Sequence, residues 1–327
     1  MKYSILKLLL AVPYIFLMRE NSFAQNEDID TASIPHPYNI DAAALQFHPL
    51  TLPLPLNPNE ALKKLFPGNF FWSDDGGLSL TKDLDSGRLF SLWRCGGCKQ
   101  QLLNTWMKEE IDTFPYFNCN YTHIPETKIW QDQSGRTHTA IVFSTSDDPE
   151  PFGRFKAPVV GIALFGDSSG FSLLRNFSPA IVAAGSYNEI RWWDTIHLTD
   201  KVTGFLFSNM NGGPGGPYSG DYLLLLPIRN SVETVLEVLL SDYFSVDSIY
   251  WQTKMIVGTG VQDFPDLKAI TFGSYRKVAL PDGEVGFFGE HEDLFSESHN
   301  DKFSWTRTYH FNGTRYELLS EKFEILH

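Results

Sequence analysis

Residues 303–316 read Phe-Ser-Trp-Thr-Arg-Thr-Tyr-His-Phe-Asn-Gly-Thr-Arg-Tyr. Phe303, Trp305, Arg307, Tyr309 and Phe311 hold every second position, the period that places one set of side chains on one face of a strand. Asn312-Gly313 supplies two residues that tolerate positive φ, as a type I′ turn requires, and the returning chain is expected to set Tyr316 opposite Tyr309. A C-terminal β-hairpin is therefore predicted from local chemistry alone.

Upstream of it the same signal recurs. Thr139–Thr145, Pro158–Phe165, Thr203–Phe207, Tyr222–Ile228, Ile249–Val257, Lys268–Phe272 and Val285–Phe288 are strand-length apolar or alternating runs, separated by Gly, Asp, Asn and Ser. Residues 230–244 carry a capping-box start at Asn230 and Glu233, yet Val232, Val235 and Val238 suit a strand, so helix and strand both stay open, with a hairpin strand after Tyr222–Ile228 favoured. Helical spacing is confined to Glu60–Phe66 and to Lys99–Ile111, where Leu102, Leu103, Trp106, Met107 and Ile111 share a face. The expected class is mainly β (α+β), with antiparallel sheets and a few short helices.

The N-terminus has the grammar of an export signal: Lys2, an apolar stretch from Ile5 to Met18, then Ser22 and Ala24 as small residues before a cleavage point after Ala24. Residues 25–58, with prolines at 35, 37, 49, 53, 55 and 58, are expected as an extended leader. Residues 59–327 form the β-rich globular region, with a candidate subdomain boundary near 125–137. The expected location is periplasmic or extracellular. The chain carries a net charge of −13, and residues 1–24 hold more bases than acids, so the exported part is more acidic still. Such a surface repels phosphate backbones and excludes nucleic acid as a partner. Apolar runs beyond the signal are too short for a membrane-spanning helix.

Cys95-Gly96-Gly97-Cys98 follows the strand-like Leu89–Trp93 and precedes the Lys99–Ile111 helix. This arrangement resembles thioredoxin-like oxidoreductases, and the resemblance implies Cys95 as attacking thiol and Cys98 as resolving thiol. Adding Cys119 and His123 gives a spacing that suits a structural zinc ion, although no metal or other cofactor is the favoured expectation. The plainer reading is a disulfide, either Cys95 to Cys98 or one of them to Cys119. Gly166-Asp167-Ser168-Ser169-Gly170 after an apolar strand resembles the nucleophile elbow of α/β-hydrolases, which implies Ser168 as nucleophile with His291, His299 or His310 downstream. A β-turn explains the same five residues.

Trp192-Trp193 are candidate ligand-binding rings for a glycan or peptide. Acidic, glycine-containing turns such as Asp132-Gln133-Ser134-Gly135 lack the late Glu of a calcium loop and read as turns. Asn120, Asn176 and Asn312 open glycosylation sequons. The order Gly185-Ser186-Tyr187, Val202-Thr203-Gly204-Phe205, Phe264-Pro265-Asp266-Leu267 and Tyr309–Tyr316 is similar to a group of uncharacterised exported bacterial proteins, which implies export and β-structure only. The function expected from these residues is binding to a protein or glycan partner. The alternatives are thiol–disulfide exchange at Cys95 and Cys98, or serine hydrolysis at Ser168.

Overall fold

The structure, a computed structural model, describes residues 36–74, 77–80, 87–96, 98, 119–132, 134–146, 159–183, 190–199, 202–211, 218–244, 249–258, 264–277 and 287–326. The expected signal segment and the Lys99–Ile111 helix lie outside these residues. So does the glycine-rich 212–217 loop.

The first sheet is built around a meander of β5 (Arg88–Cys95), β6 (Asn120–Gln131), β7 (Thr137–Ser146), β8 (Val159–Ser168) and β9 (Phe171–Ala183). The N-terminal leader adds one edge strand and a short strand beside β5. There β1 (Tyr38–Ile40) runs parallel to the end of β5, while β2 (Thr51–Pro53) pairs antiparallel with β9. Next come α1 (Pro58–Leu65), β3 (Asn69–Asp74) and β4 (Gly77–Leu80), with β3 paired to β5 on the side away from β6. The described part of the leader, 36–58, carries two three-residue strands and a 3-10 helix at Ala42–Leu45, and it is structural: Leu45 and Leu52 are buried in the first core.

The helix α1 starts where Asn57 Oδ1 accepts the amides of Asn59 and Glu60 and Pro58 fills a position that needs no donor. Ala61, Leu62 and Leu65 then form one apolar face, which packs with Phe66 against Trp93, Phe143 and Phe177. Each such side chain contributes about 1.5–3 kcal/mol by leaving water.

The second sheet is an eight-stranded meander in which spatial order equals chain order. Its strands are β10 (Ile190–His197), β11 (Thr203–Asn211), β12 (Tyr218–Ile228), β13 (Ser231–Phe244), β14 (Tyr250–Val257), β15 (Leu267–Tyr275), β16 (Asp301–Phe311) and β17 (Tyr316–Leu326). Most of β13 pairs with β12, but only Asp242–Phe244 reach β14. The sheet bends at that weak seam. Leu206, Leu224 and Leu226 from one half share a core with Leu267, Ala269, Tyr309 and Tyr316 from the other. The opposite face of β11 and β12, with Phe205, Phe207, Leu223 and Leu225, packs on Ala140, Val142, Ile162 and Leu164 of the first sheet. Burial on both faces explains why Tyr222–Ile228 is a continuous apolar run rather than an alternating one. Asn176 Nδ2 donates to the carbonyls of Arg229 and Ser231, and Ser178 Oγ to that of Val232, closing the junction.

Three expectations change. The terminal hairpin forms, but Tyr316 pairs with Phe311 and Tyr309 with Leu318. The Asn312 carboxamide accepts the amides of both Thr314 and Arg315, which stretches the turn to four residues. Phe287 and Phe288 are not strand residues: they lie in a turn that leads into a 3-10 helix at Gly289–Leu294. The residues around Ser168 form the β8–β9 hairpin, with Ser169 and Gly170 both at positive φ, so a strand follows where a nucleophile elbow needs a helix. The candidate boundary near 125–137 falls within β6 and its turn into β7, in the middle of one sheet.

Candidate functional site

The disulfide joins Cys95, the last residue of β5, to Cys98, with Cα atoms 5.6 Å apart. Alternation along β5 directs Leu89, Ser91, Trp93 and Cys95 to the α1 side. Trp93 fixes this strand end. Its Nε1 donates to Thr122 Oγ1 at 2.9 Å, and Thr122 is in turn bonded to Thr145. Asn120 Nδ2 reaches the Trp93 carbonyl, Ser91 Oγ donates to the Phe66 carbonyl at 2.6 Å, and β1 runs alongside with Ile40 in register with Cys95. Arg94 points the other way and donates to Asn39.

Both cysteines are buried, Cys98 fully and Cys95 at 8% exposure, while an added Cβ on Gly96 between them would meet nothing within 4 Å.

The other candidate ligands of a zinc site are not assembled there. The Cys95 and Cys98 sulfurs are bonded to each other, and Cys119 is no part of that disulfide. The antiparallel register that ends at Trp93 and Asn120 would place Cys119 beside Arg94, on the face opposite Cys95. His123 also belongs to that opposite face, its ring 4.9 Å from Phe90. It is buried, its Nδ1 has no hydrogen-bond partner, and burial, aided by the Arg88 charge, pushes its pKa down to about 3.

Ser168 is exposed at the end of β8 and, among the described residues, bonds to no histidine. The expected partners sit in the second half of the chain: His291 in the 3-10 helix, His299 beside Ser296 and Asp301, His310 bonded to Asp266. The Asp132 loop is a turn, its carboxylate accepting the Ser134 and Arg136 amides and bonding His138, which holds it well below the usual carboxylate range. Trp193 is the unpaired residue where the pairing of β10 with β11 slips between Trp192 and Asp194; the side chains of both tryptophans lie outside the described set. Of the sequons, Asn120 and Asn176 are buried and Asn312 is exposed.

No family model, no curated protein and no solved structure matches the chain. The local likeness to thioredoxin-like proteins stops at the cysteine pair, because β5 is flanked by antiparallel β3 and β6. What stands is a buried Cys95–Cys98 disulfide in a predominantly β protein. Among the described residues no helix is long and apolar enough to cross a membrane.

The sequence reading missed a second cluster. Glu290 and His291 in the 3-10 helix converge with Glu321 of β17, their ligand-type atoms all within 4.8 Å of one another. Glu290-His291 carries no motif by itself, and Glu321 arrives only through the β16–β17 return, so no linear spacing signals the group.

Proposed function

We propose that the protein is an exported thiol–disulfide oxidoreductase that works through Cys95 and Cys98. The observation that carries this reading is the buried disulfide that joins two cysteines across only two glycines at the end of β5. Loop-closure scaling gives so short a cross-link about 2 kcal/mol of stabilisation, less than a long-range staple supplies, so fold stability alone is a weak reason for it. The expected export signal supports the reading, since a disulfide that oxidises dithiols must be re-oxidised after each turnover and an oxidising compartment allows this.

In the forward direction a substrate thiolate attacks the Cys95 sulfur, the S–S bond breaks, and Cys98 leaves as a thiolate that takes up a proton. A second substrate thiolate then attacks the substrate sulfur of the mixed disulfide and releases Cys95. Two electrons and two protons pass from the substrate dithiol to the cysteine pair.

The test is oxidation of a reduced dithiol peptide by the full exported chain, followed by mass spectrometry. The expected result is stoichiometric peptide oxidation by the wild type, retained in Cys119→Ser and lost in Cys95→Ser. In Cys98→Ser, Cys95 should accumulate as a mixed disulfide when offered an oxidised peptide. A Cys95–Cys98 bond that survives excess dithiol in the folded protein would overturn the proposal. Binding to a protein or glycan has less behind it: exposed rings such as Phe171 and Tyr250 lie on different sheets.

A further inference from the structure

We propose that Glu290, His291 and Glu321 form a binding site for a divalent cation of the zinc type. His291 Nε2 stands 3.7 Å from Glu321 Oε1, beyond hydrogen-bond distance. Two ligands held about 2.0–2.2 Å from one zinc ion lie roughly 3.4 Å apart along a tetrahedral edge, so this spacing fits a shared ion better than a direct bond.

Both side chains are oriented from outside the cluster. Trp305 Nε1 donates to Glu321 Oε2 at 2.9 Å, which leaves Oε1 turned toward His291. The His291 ring stacks on Phe323, centroids 4.5 Å apart and planes 15° from parallel, with Trp305 edge-on at 5.6 Å. An indole clamp on one carboxylate oxygen and an aromatic wall behind the imidazole are the outer supports that fix ligand geometry before an ion arrives. Glu290, exposed on the same 3-10 helix, closes the third side.

One imidazole and two carboxylates make a donor set suited to zinc, with a fourth position left to water or a ligand. The acidic chain favours cation approach.

Equilibrium dialysis of the full, oxidised chain against Zn²⁺, with Ca²⁺ in parallel, tests this site. One Zn²⁺ per chain is expected, retained in Cys119→Ser, which removes the competing thiol. Affinity should fall at least tenfold in His291→Gln and in Glu321→Gln. Glu290→Gln alters only an exposed carboxylate and should weaken binding with the melting curve unchanged, so it decides the matter if either other variant fails to fold. Absence of stoichiometric binding, preference for Ca²⁺, or an affinity left unchanged by His291→Gln or by Glu290→Gln would overturn the proposal.

Discussion

From β10 to β17 every strand lies beside its neighbour in sequence, whereas the first sheet runs in sequence from β5 to β9, carries β3 and β4 beyond β5, and takes its β2 edge from the leader. Thr51 pairs with Leu173, and Tyr38 with Trp93. The second sheet covers one face by bending at the short β13–β14 seam, so that β11 and β12 meet β15 and β16 across a shared core. The first is covered from outside, by α1 and the buried leucines of the leader. Two meanders of the same chain thus solve the same problem differently: one shares a core between its own two halves, and the other is covered by a strap from the leader. The Cys95–Cys98 pair sits under that strap, and the Glu290–His291–Glu321 cluster sits on the curled sheet.

The largest expected effect strikes the curl. A Cβ on Gly273 would lie 2.1 Å from the Tyr250 carbonyl oxygen and 2.5 Å from Trp251 Cα, both backbone atoms of the neighbouring strand. No rotamer change relieves such a clash. Gly273→Ala should cost about 4 kcal/mol or more in urea unfolding, the range of the severest single substitutions. A loss below about 1 kcal/mol would mean that β14 and β15 do not approach as described.

The first sheet has a different weakness, which is acid. His123 is buried and neutral, with its pKa pushed down to about 3 against an ordinary 6.5. The unfolded chain therefore binds a proton that the folded chain refuses between these values, and stability falls as pH drops through that window. By pH 5 the loss is about 2 kcal/mol. In His123→Phe, which keeps a ring against Phe90, that part of the pH dependence should vanish, so the wild-type and variant curves should diverge below pH 6.5. Parallel curves would show that His123 is hydrated or protonated in the fold. Next in size is the cross-link: Cys95→Ser with Cys98→Ser should lower stability by about 2 kcal/mol, and a much larger drop in the melting measurement would favour a structural role over exchange.

Strands were legible where one face meets water, as in β14 with its alternating burial, because period-two chemistry is then written into the chain. β12 and β13 were harder, since both faces of the sheet are covered there and the apolar run loses its rhythm. The terminal hairpin was predictable but its register was not: one side chain, Asn312, accepting two amides decides between a two- and a four-residue turn. The leader's role was hidden because Leu45 and Leu52 find their partners only after the sheet exists. Among the sites, the two cysteines were visible as a motif. His291 and Glu321 were not, because a 3-10 helix and a strand return bring them together.

The smallest effect compares two asparagines that do the same chemistry in the two regions. Asn57 Oδ1 accepts the amides of Asn59 and Glu60, and Asn312 Oδ1 accepts those of Thr314 and Arg315. The local bonds are alike, but what they anchor is not. Asn57 starts the helix whose Leu62 and Leu65 seal the first sheet, while the Asn312 turn is exposed beyond the end of the core. Asn57→Ala should therefore cost about 1 kcal/mol, the usual loss for an N-cap, and Asn312→Ala no more than about 0.5 kcal/mol. The measurement is the difference in urea midpoint at constant slope. If the two costs are equal, the bond alone sets them and α1 is not the strap that holds the first sheet. If Asn57→Ala costs more, the excess reports how strongly the leader is coupled to the core around Cys95.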